Sequence, residues 1–289
     1  MSPLIAITGA NGQLGSELRI LSSSYPDLKF IFLTRNELSL ENENSIEDFF
    51  QKFKPQFLIN CAAYTAVDKA ETERELSFLI NGKAAGDLAL SCKKNKCKLV
   101  HISTDYVFNG NSSVPYKEND PVDPVNAYGA SKLEGENRII AFAPDSIIIR
   151  TAWVYSAYGH NFVKTMLRLM KERKEINVVN DQTGSPTWAQ DLAKVILEII
   201  QSKKWIGGIY HYSNNGRITW YDFAKSIAEL TGTSCKVNPI PSSAYPTPAK
   251  RPAFSLMDTN LIRTTFQIDI PDWKESLVKC LAQIKKYES

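Results

Sequence analysis

The sequence predicts an α/β fold: a doubly wound parallel sheet in the first half, followed by a smaller second part. Three observations predict it. Short apolar runs alternate with amphipathic helical stretches over residues 4–149. Glycines at 9, 12 and 15 follow the first run and open the first helix. Beyond about residue 155 the rhythm gives way to Pro-, Asn- and Gly-rich loops such as 180–187 and 239–248.

Each element has its own signal. Residues 4–7, Leu-Ile-Ala-Ile, read as a buried parallel strand. Leu14, Leu18 and Leu21 then form one helical face. Residues 30–33 are a second strand. A helix from Ser45 puts Ile46, Phe49, Phe50 and Phe53 inward and stops at Pro55. Residues 57–59 are a third strand, and a long helix is expected over 77–93. Residues 98–102 and 146–149 are the fourth and fifth strands, separated by the helix that carries Tyr128 and Lys132. Residues 188–200 and 219–230 have helical amphipathic spacing. The expected division is 1–155 for the sheet part, with a helix near 188–202 packed back on it, and 156–289 for the remainder. The carboxyl ends of parallel strands share one edge, where ligands bind. That edge collects residues 9–15, 34–35, 61–65, 103–108 and 151–155.

Composition narrows the functional classes. Net charge is +3 from 34 basic and 31 acidic residues, too balanced for a nucleic-acid or anionic membrane surface. No window has the roughly 18 apolar residues of a membrane span. Residues 2–8 lack a charged start and a cleavage site, so no secretory leader is expected. Five scattered cysteines suit reduced thiols and a cytoplasmic setting. Three histidines share no ligand spacing, and no metal site is expected.

The glycine turn can hold a pyrophosphate: it allows close backbone approach, and the helix N-terminus adds unpaired N–H groups and partial positive charge. This makes the sheet Rossmann-type. Past the second strand stand Thr34, Arg35 and Asn36 where a 2′-hydroxyl reader would carry an acid. Arg35 suits a 2′-phosphate, which favours NADPH, while Glu37 keeps NADH as the alternative.

Tyr128 and Lys132 lie one helical turn apart on one face. A phenol titrates near 10 unless its anion is stabilised, and a nearby ammonium does that. Such a pair exchanges a proton with an oxygen as hydride reaches carbon. Ser103 or Thr104, ending the fourth strand, can bond that oxygen. Alternation along the strand allows one of them to face it. Asp105 and Tyr106 either hold substrate hydroxyls or cap a turn.

These motifs resemble the extended short-chain dehydrogenase/reductase family. Within it, the blocks 61–71, 103–108, 115–118, 128–136, 150–155, 161–163, 181–187 and 248–252 are similar to the dTDP-4-dehydrorhamnose reductases. The resemblance implies hydride transfer from NADPH or NADH to the C4 ketone of dTDP-4-dehydro-6-deoxy-L-mannose, giving dTDP-L-rhamnose. It implies Tyr128 as proton donor, Lys132 on the ribose and Thr104, rather than Ser103, on the reacting oxygen. Gly9, Asn11, Gly12, Gln13, Leu14, Gly15, Arg35, Ala62, Ala63 and Tyr64 would contact the cofactor, with Tyr128 and Lys132. Thr104, Asp105, Tyr106 and Trp153 would hold the sugar, and Arg251 the diphosphate. Where relatives commonly carry Asp after the second strand, this chain has Leu38, Ser39 and Leu40. Some relatives use a divalent metal at a dimer contact. Its carboxylates have no clear counterpart here, so no metal is expected and a homodimer stays open. Two other readings fit the scaffold: an epimerase that retains NAD, and a non-catalytic regulatory subunit of the methionine adenosyltransferase type.

Overall fold

The computed structural model describes residues 2–202 and 204–288. In chain order the first part comprises β1 (Leu4–Thr8), α1 (Gln13–Leu21), β2 (Lys29–Leu33), α2 (Glu43–Phe53), β3 (Phe57–Asn60), α3 (Arg74–Phe78), α4 (Ala84–Lys94), β4 (Lys98–Thr104), α5 (Ala127–Phe142) and β5 (Ile147–Thr151). The second part continues with β6 (Val154–Tyr155), α6 (Phe162–Glu172), β7 (Glu175–Val179), β8 (Thr183–Gly184), β9 (Thr187–Trp188), α7 (Ala189–Gln201), β10 (Gly208–Tyr212), β11 (Ile218–Thr219), α8 (Trp220–Thr231), β12 (Lys236–Ile240), α9 (Asn260–Phe266) and α10 (Trp273–Glu288).

Among the described residues the main sheet has six strands in the order β10-β5-β4-β3-β1-β2. Every pairing in it is parallel. Parallel strands need both faces covered, because their side chains are apolar on both. Ile5, Ile7, Ile59, Val100, Ile147 and Ile149 pack on one face beneath Leu14 and Leu18 of α1 and Leu192–Ile200 of α7. Ala6, Leu58, Leu99 and Ile148 pack on the other against Phe49 and Phe50 of α2, Leu88 of α4 and Ile139 of α5. This is the doubly wound α/β architecture. A third core gathers α6, α8 and α10 around Tyr155, Trp188 and Phe223.

Two elements differ from the sequence expectation. Strand β10 was not expected: its residues Gly-Ile-Tyr-His-Tyr carry few aliphatic side chains. It nonetheless pairs with all of β5 and extends the sheet. The long helix expected over 77–93 is broken by a π turn at Leu79–Lys83. There the Asn81 side chain binds the 61–65 segment: its Oδ1 accepts from Tyr64 N at 2.8 Å and its Nδ2 donates to Tyr64 O at 3.0 Å. Single π turns inside helices often mark functional sites. No helix among the described residues is long and apolar enough to cross a membrane.

Candidate active site

The glycine turn sits at the carboxyl end of β1. A Cβ on Gly15 would lie 2.8 Å from Ala10 Cα, so the start of α1 presses directly on the turn. Gly12 caps α1 without a side-chain bond, which leaves the first N–H groups of the helix for an anion. Gln13 Oε1 is buried beside them with no partner.

The α5 helix starts where Asn126 Oδ1 accepts from Gly129 N at 2.8 Å, a side-chain N-cap. A Cβ on Gly129 would run into Tyr106 O, so α5 lies directly on the 105–107 turn and Tyr128 comes beside Thr104. The helix is fixed to the sheet by a buried ion pair, Arg150 Nη2 to Glu136 Oε2 at 2.7 Å. Ser103 Oγ donates to Glu136 Oε1 at 2.5 Å and is thereby committed to that pair. Thr104 has the other arrangement. Its hydroxyl bonds Tyr128, accepts from Tyr106 N at 3.2 Å and donates to Asp105 Oδ1 at 3.0 Å.

A cleft of about 930 Å³ opens along this edge. Gly9, Gly12, Gln13, Leu14, Arg35, Ala62 and Ala63 line one end, and Thr104, Asp105, Tyr106, Tyr128, Lys132 and Trp153 line the other. Four expected residues stand elsewhere. Asn11 is exposed, and Gly15 packs behind the turn. The Tyr64 hydroxyl donates to Glu73 Oε2 at 2.8 Å. Arg251 lies off the cleft lining, its fork closed on both Asp68 oxygens at 3.0 and 2.9 Å.

Expected and unexpected residues meet in the wall, Trp220 and His160 being the unexpected ones. Trp153, held at φ +49°, stacks on Trp220 with ring centres 3.7 Å apart. Phe162 and His160 also line that end. An unfavourable backbone angle on a bulky residue marks a position over-determined by its surroundings. At the other end Arg35, its side chain 73% exposed, pairs with Glu41, which also lines the cleft. Glu37, the expected acidic rival, instead accepts from Thr34 N at 2.7 Å.

The electrostatics depart from the expectation of an acidified phenol. Burial pushes Tyr128 up to about 12, with the Asp105 charge adding to it and the Thr104 bond opposing it. Lys132 is pushed down to about 8 by burial, against the pull of Glu136 and Cys61. In this state the phenol keeps its proton, the form a donor needs. Asp105 is raised to about 6 by burial, against the side-chain hydrogen bonds of Ser255 and Thr104. Among the described residues no three His, Cys, Asp or Glu side chains cluster to hold a metal.

The family model described as "RmlD substrate binding domain" matches residues 3–286. A dTDP-4-dehydrorhamnose reductase of Burkholderia thailandensis is 39% identical, over 97% of this chain and 98% of its own. A solved dTDP-4-dehydrorhamnose reductase from Clostridium acetobutylicum superposes with TM-score 0.94 at 41% identity, covering 98% of this chain and 99% of that one. The Bacillus anthracis reductase, solved in complex with NADP, has TM-score 0.94 at 39% identity, covering 98% of this chain and 100% of its own. A match over nearly the whole length, with relatives this similar, settles descent: the chain belongs to the RmlD substrate binding domain family, that of the dTDP-4-dehydrorhamnose reductases.

Proposed function

We propose that the protein is an NADPH-dependent oxidoreductase that reduces the C4 ketone of dTDP-4-dehydro-6-deoxy-L-mannose to dTDP-L-rhamnose. One observation carries this reading. A protonated phenol, a hydroxyl bonded to it and a buried lysine nitrogen line the same cleft as an uncapped glycine turn. The turn fits a dinucleotide: side chains are missing where a pyrophosphate would lie, and the first N–H groups of α1 are open to it. Arg35 supports NADPH over NADH, since it can exchange Glu41 for a 2′-phosphate.

A bound reduced nicotinamide supplies hydride to the carbonyl carbon. As charge grows on the oxygen, Tyr128 gives it the phenol proton, and Thr104 holds the phenol oxygen and the reacting oxygen in one bonding range. The Lys132 ammonium steadies the phenolate left behind and has an N–H for the ribose. The product is an alcohol, and the phenolate recovers its proton from solvent. The Asp105 carboxyl, buried in the cleft wall, suits a sugar hydroxyl. Tyr106 and the Trp153–Trp220 stack give the sugar an apolar wall. Arg251 reaches the diphosphate on releasing Asp68. Residues 1–155, with α7 packed on them, serve the dinucleotide, and residues 156–289 mainly the sugar nucleotide.

The test is an assay of NADPH and NADH oxidation with the 4-keto sugar nucleotide and chromatography of the product. Stoichiometric NADPH consumption with dTDP-L-rhamnose formed is expected. Sugar conversion with no nicotinamide consumed, or no turnover at all, overturns the reading.

A further inference from the structure

A buried polar row crosses the sheet just under the cleft. Thr8, Asn60 and His101 are register neighbours on β1, β3 and β4. Two residues back along the same strands stand Ala6, Leu58 and Leu99, all in the apolar core. Thr8 Oγ1 donates to Asn60 Oδ1 at 2.6 Å, and Asn60 Nδ2 meets His101 Nδ1 at 2.9 Å. His101 Nε2 meets Lys132 Nζ at 3.2 Å, and Nζ also donates to Ile102 O at 2.6 Å. None of these four side-chain owners is more than 2% exposed.

We propose that His101 is the positioning residue of Lys132: it ties the lysine nitrogen to the sheet and, through its tautomer, sets whether that nitrogen stands as amine or ammonium. An amine has two N–H groups and a lone pair; an ammonium has three N–H groups and no lone pair. In the observed arrangement the amide nitrogen of Asn60 faces Nδ1, which therefore accepts. The ring proton is then on Nε2, aimed at Lys132, and fits the amine. A half-turn of the Asn60 amide exchanges its ends. Its oxygen then accepts from Nδ1–H and its nitrogen donates to Thr8. Nε2 is left bare and accepts from the ammonium. Thr8 Oγ1 can take that bond, since its one other contact is a donor, Ala62 N at 3.3 Å. The first arrangement pairs every member of the row; the second frees the Thr8 hydroxyl proton, and Thr8 lines the cleft. Both leave one lysine N–H for the cleft.

The surroundings make the exchange accessible. Burial, with the Lys132 charge, holds His101 well below its usual range, so its two neutral tautomers are the forms that matter. Lys132 sits at about 8 through burial; the charged group that faces it is Glu136 on its own helix, which favours the ammonium, while burial keeps the Cys61 thiol beyond β3 protonated and neutral. The sign follows: the ammonium stands below about pH 8 and is lost above it. The link from that charge to turnover rests on the proposed reductase chemistry, but the row itself can be tested without substrate.

The decisive measurement is ¹⁵N NMR of the unliganded protein. The His101 ring shifts report the tautomer, and the Lys132 Nζ signal, assigned by its loss in Lys132→Arg, reports the charge. Both are expected to change with one midpoint. Asn60→Asp places an acceptor beside Nδ1, fixes the Nδ1–H tautomer and raises the midpoint by about one pH unit. His101→Leu removes the acceptor and lowers it by about as much, while His101→Gln restores an acceptor and the wild-type midpoint. The alkaline limb of kcat moves in the same directions. Exposure of the lysine by damaged folding, or the charge of the new carboxylate alone, would also raise the midpoint, so Asn60→Asp supports the proposal only with a wild-type denaturation midpoint and a His101 ring locked as the Nδ1–H tautomer across the lysine titration. A ring tautomer indifferent to the lysine titration, or an unmoved midpoint in Asn60→Asp, overturns the proposal. Absence of NADPH turnover in wild type sinks the reductase reading instead and leaves the row's titration standing.

Discussion

At the glycine-turn end the cleft is walled largely by backbone: Gly9, Gly12 and the open N-terminus of α1, with small residues Ala62 and Ala63 opposite. At the Trp153 end it is walled by side chains from distant parts of the chain, including Trp220 of α8, Phe162 of α6 and Asp105 after β4. Backbone recognition needs missing side chains and suits a group common to many enzymes. Side-chain recognition needs long-range convergence and suits a group particular to one. The reacting residues, Thr104, Tyr128 and Lys132, stand where the two ends meet.

That contrast can be broken or sharpened by substitution. The largest effect is expected at the junction. Tyr128→Phe should lower kcat by about 10²–10⁴-fold with NADPH affinity kept, because the hydroxyl acts in the transition state. Steady-state rates alongside cofactor fluorescence titration measure both, and turnover near wild type removes Tyr128 from proton transfer. Gly15→Ala forces backbone to move at the turn. It should cost about 1–3 kcal/mol of stability and weaken NADPH binding, with the sugar-binding end intact. Chemical denaturation and the same titration check it, and an unchanged NADPH affinity would detach the turn from the cofactor.

Trp220→Ala is the mirror experiment. It should raise KM for the sugar nucleotide about tenfold, as expected for loss of an aromatic wall worth roughly 1.5 kcal/mol, and leave NADPH binding unchanged. A reversed pattern, with weaker NADPH and unchanged KM, would invert the assignment of the two ends. Arg35→Ala should weaken NADPH about tenfold, in the range of a charged hydrogen bond, and NADH much less. Equal losses count against the 2′-phosphate contact. The smallest change is Glu41→Gln, which removes the competitor for Arg35. A gain of about two- to fivefold in NADPH affinity is expected, since exposed pairs carry about 0.2–1 kcal/mol.

The same contrast explains what could be read from the sequence. The turn was legible because glycine spacing reports backbone geometry locally, and the Tyr128–Lys132 pair because one helical turn fixes their shared face. The choice between Ser103 and Thr104 lay beyond spacing: Ser103 is taken by Glu136, thirty-three positions away. Trp220, Asn81 and His101 had no local signal, since each acts through partners distant in the chain. Strand β10 escaped because its tyrosines and histidine mask a buried strand. The charge state of Tyr128 depends on burial, which no motif records.

Strand β10 carries a consequence for the whole molecule. The chain leaves the sheet after β5, builds β6 to β9, then returns through α7 to lay β10 alongside β5 before departing again. A cut after residue 155 would strip β5 of β10, one of its two neighbours, and bare the edge from Ile147 to Thr151. The halves are laced together, not strung on one tether. A single cooperative thermal melt is therefore the expected outcome for this chain, read by circular dichroism, and two separated transitions would count against such lacing.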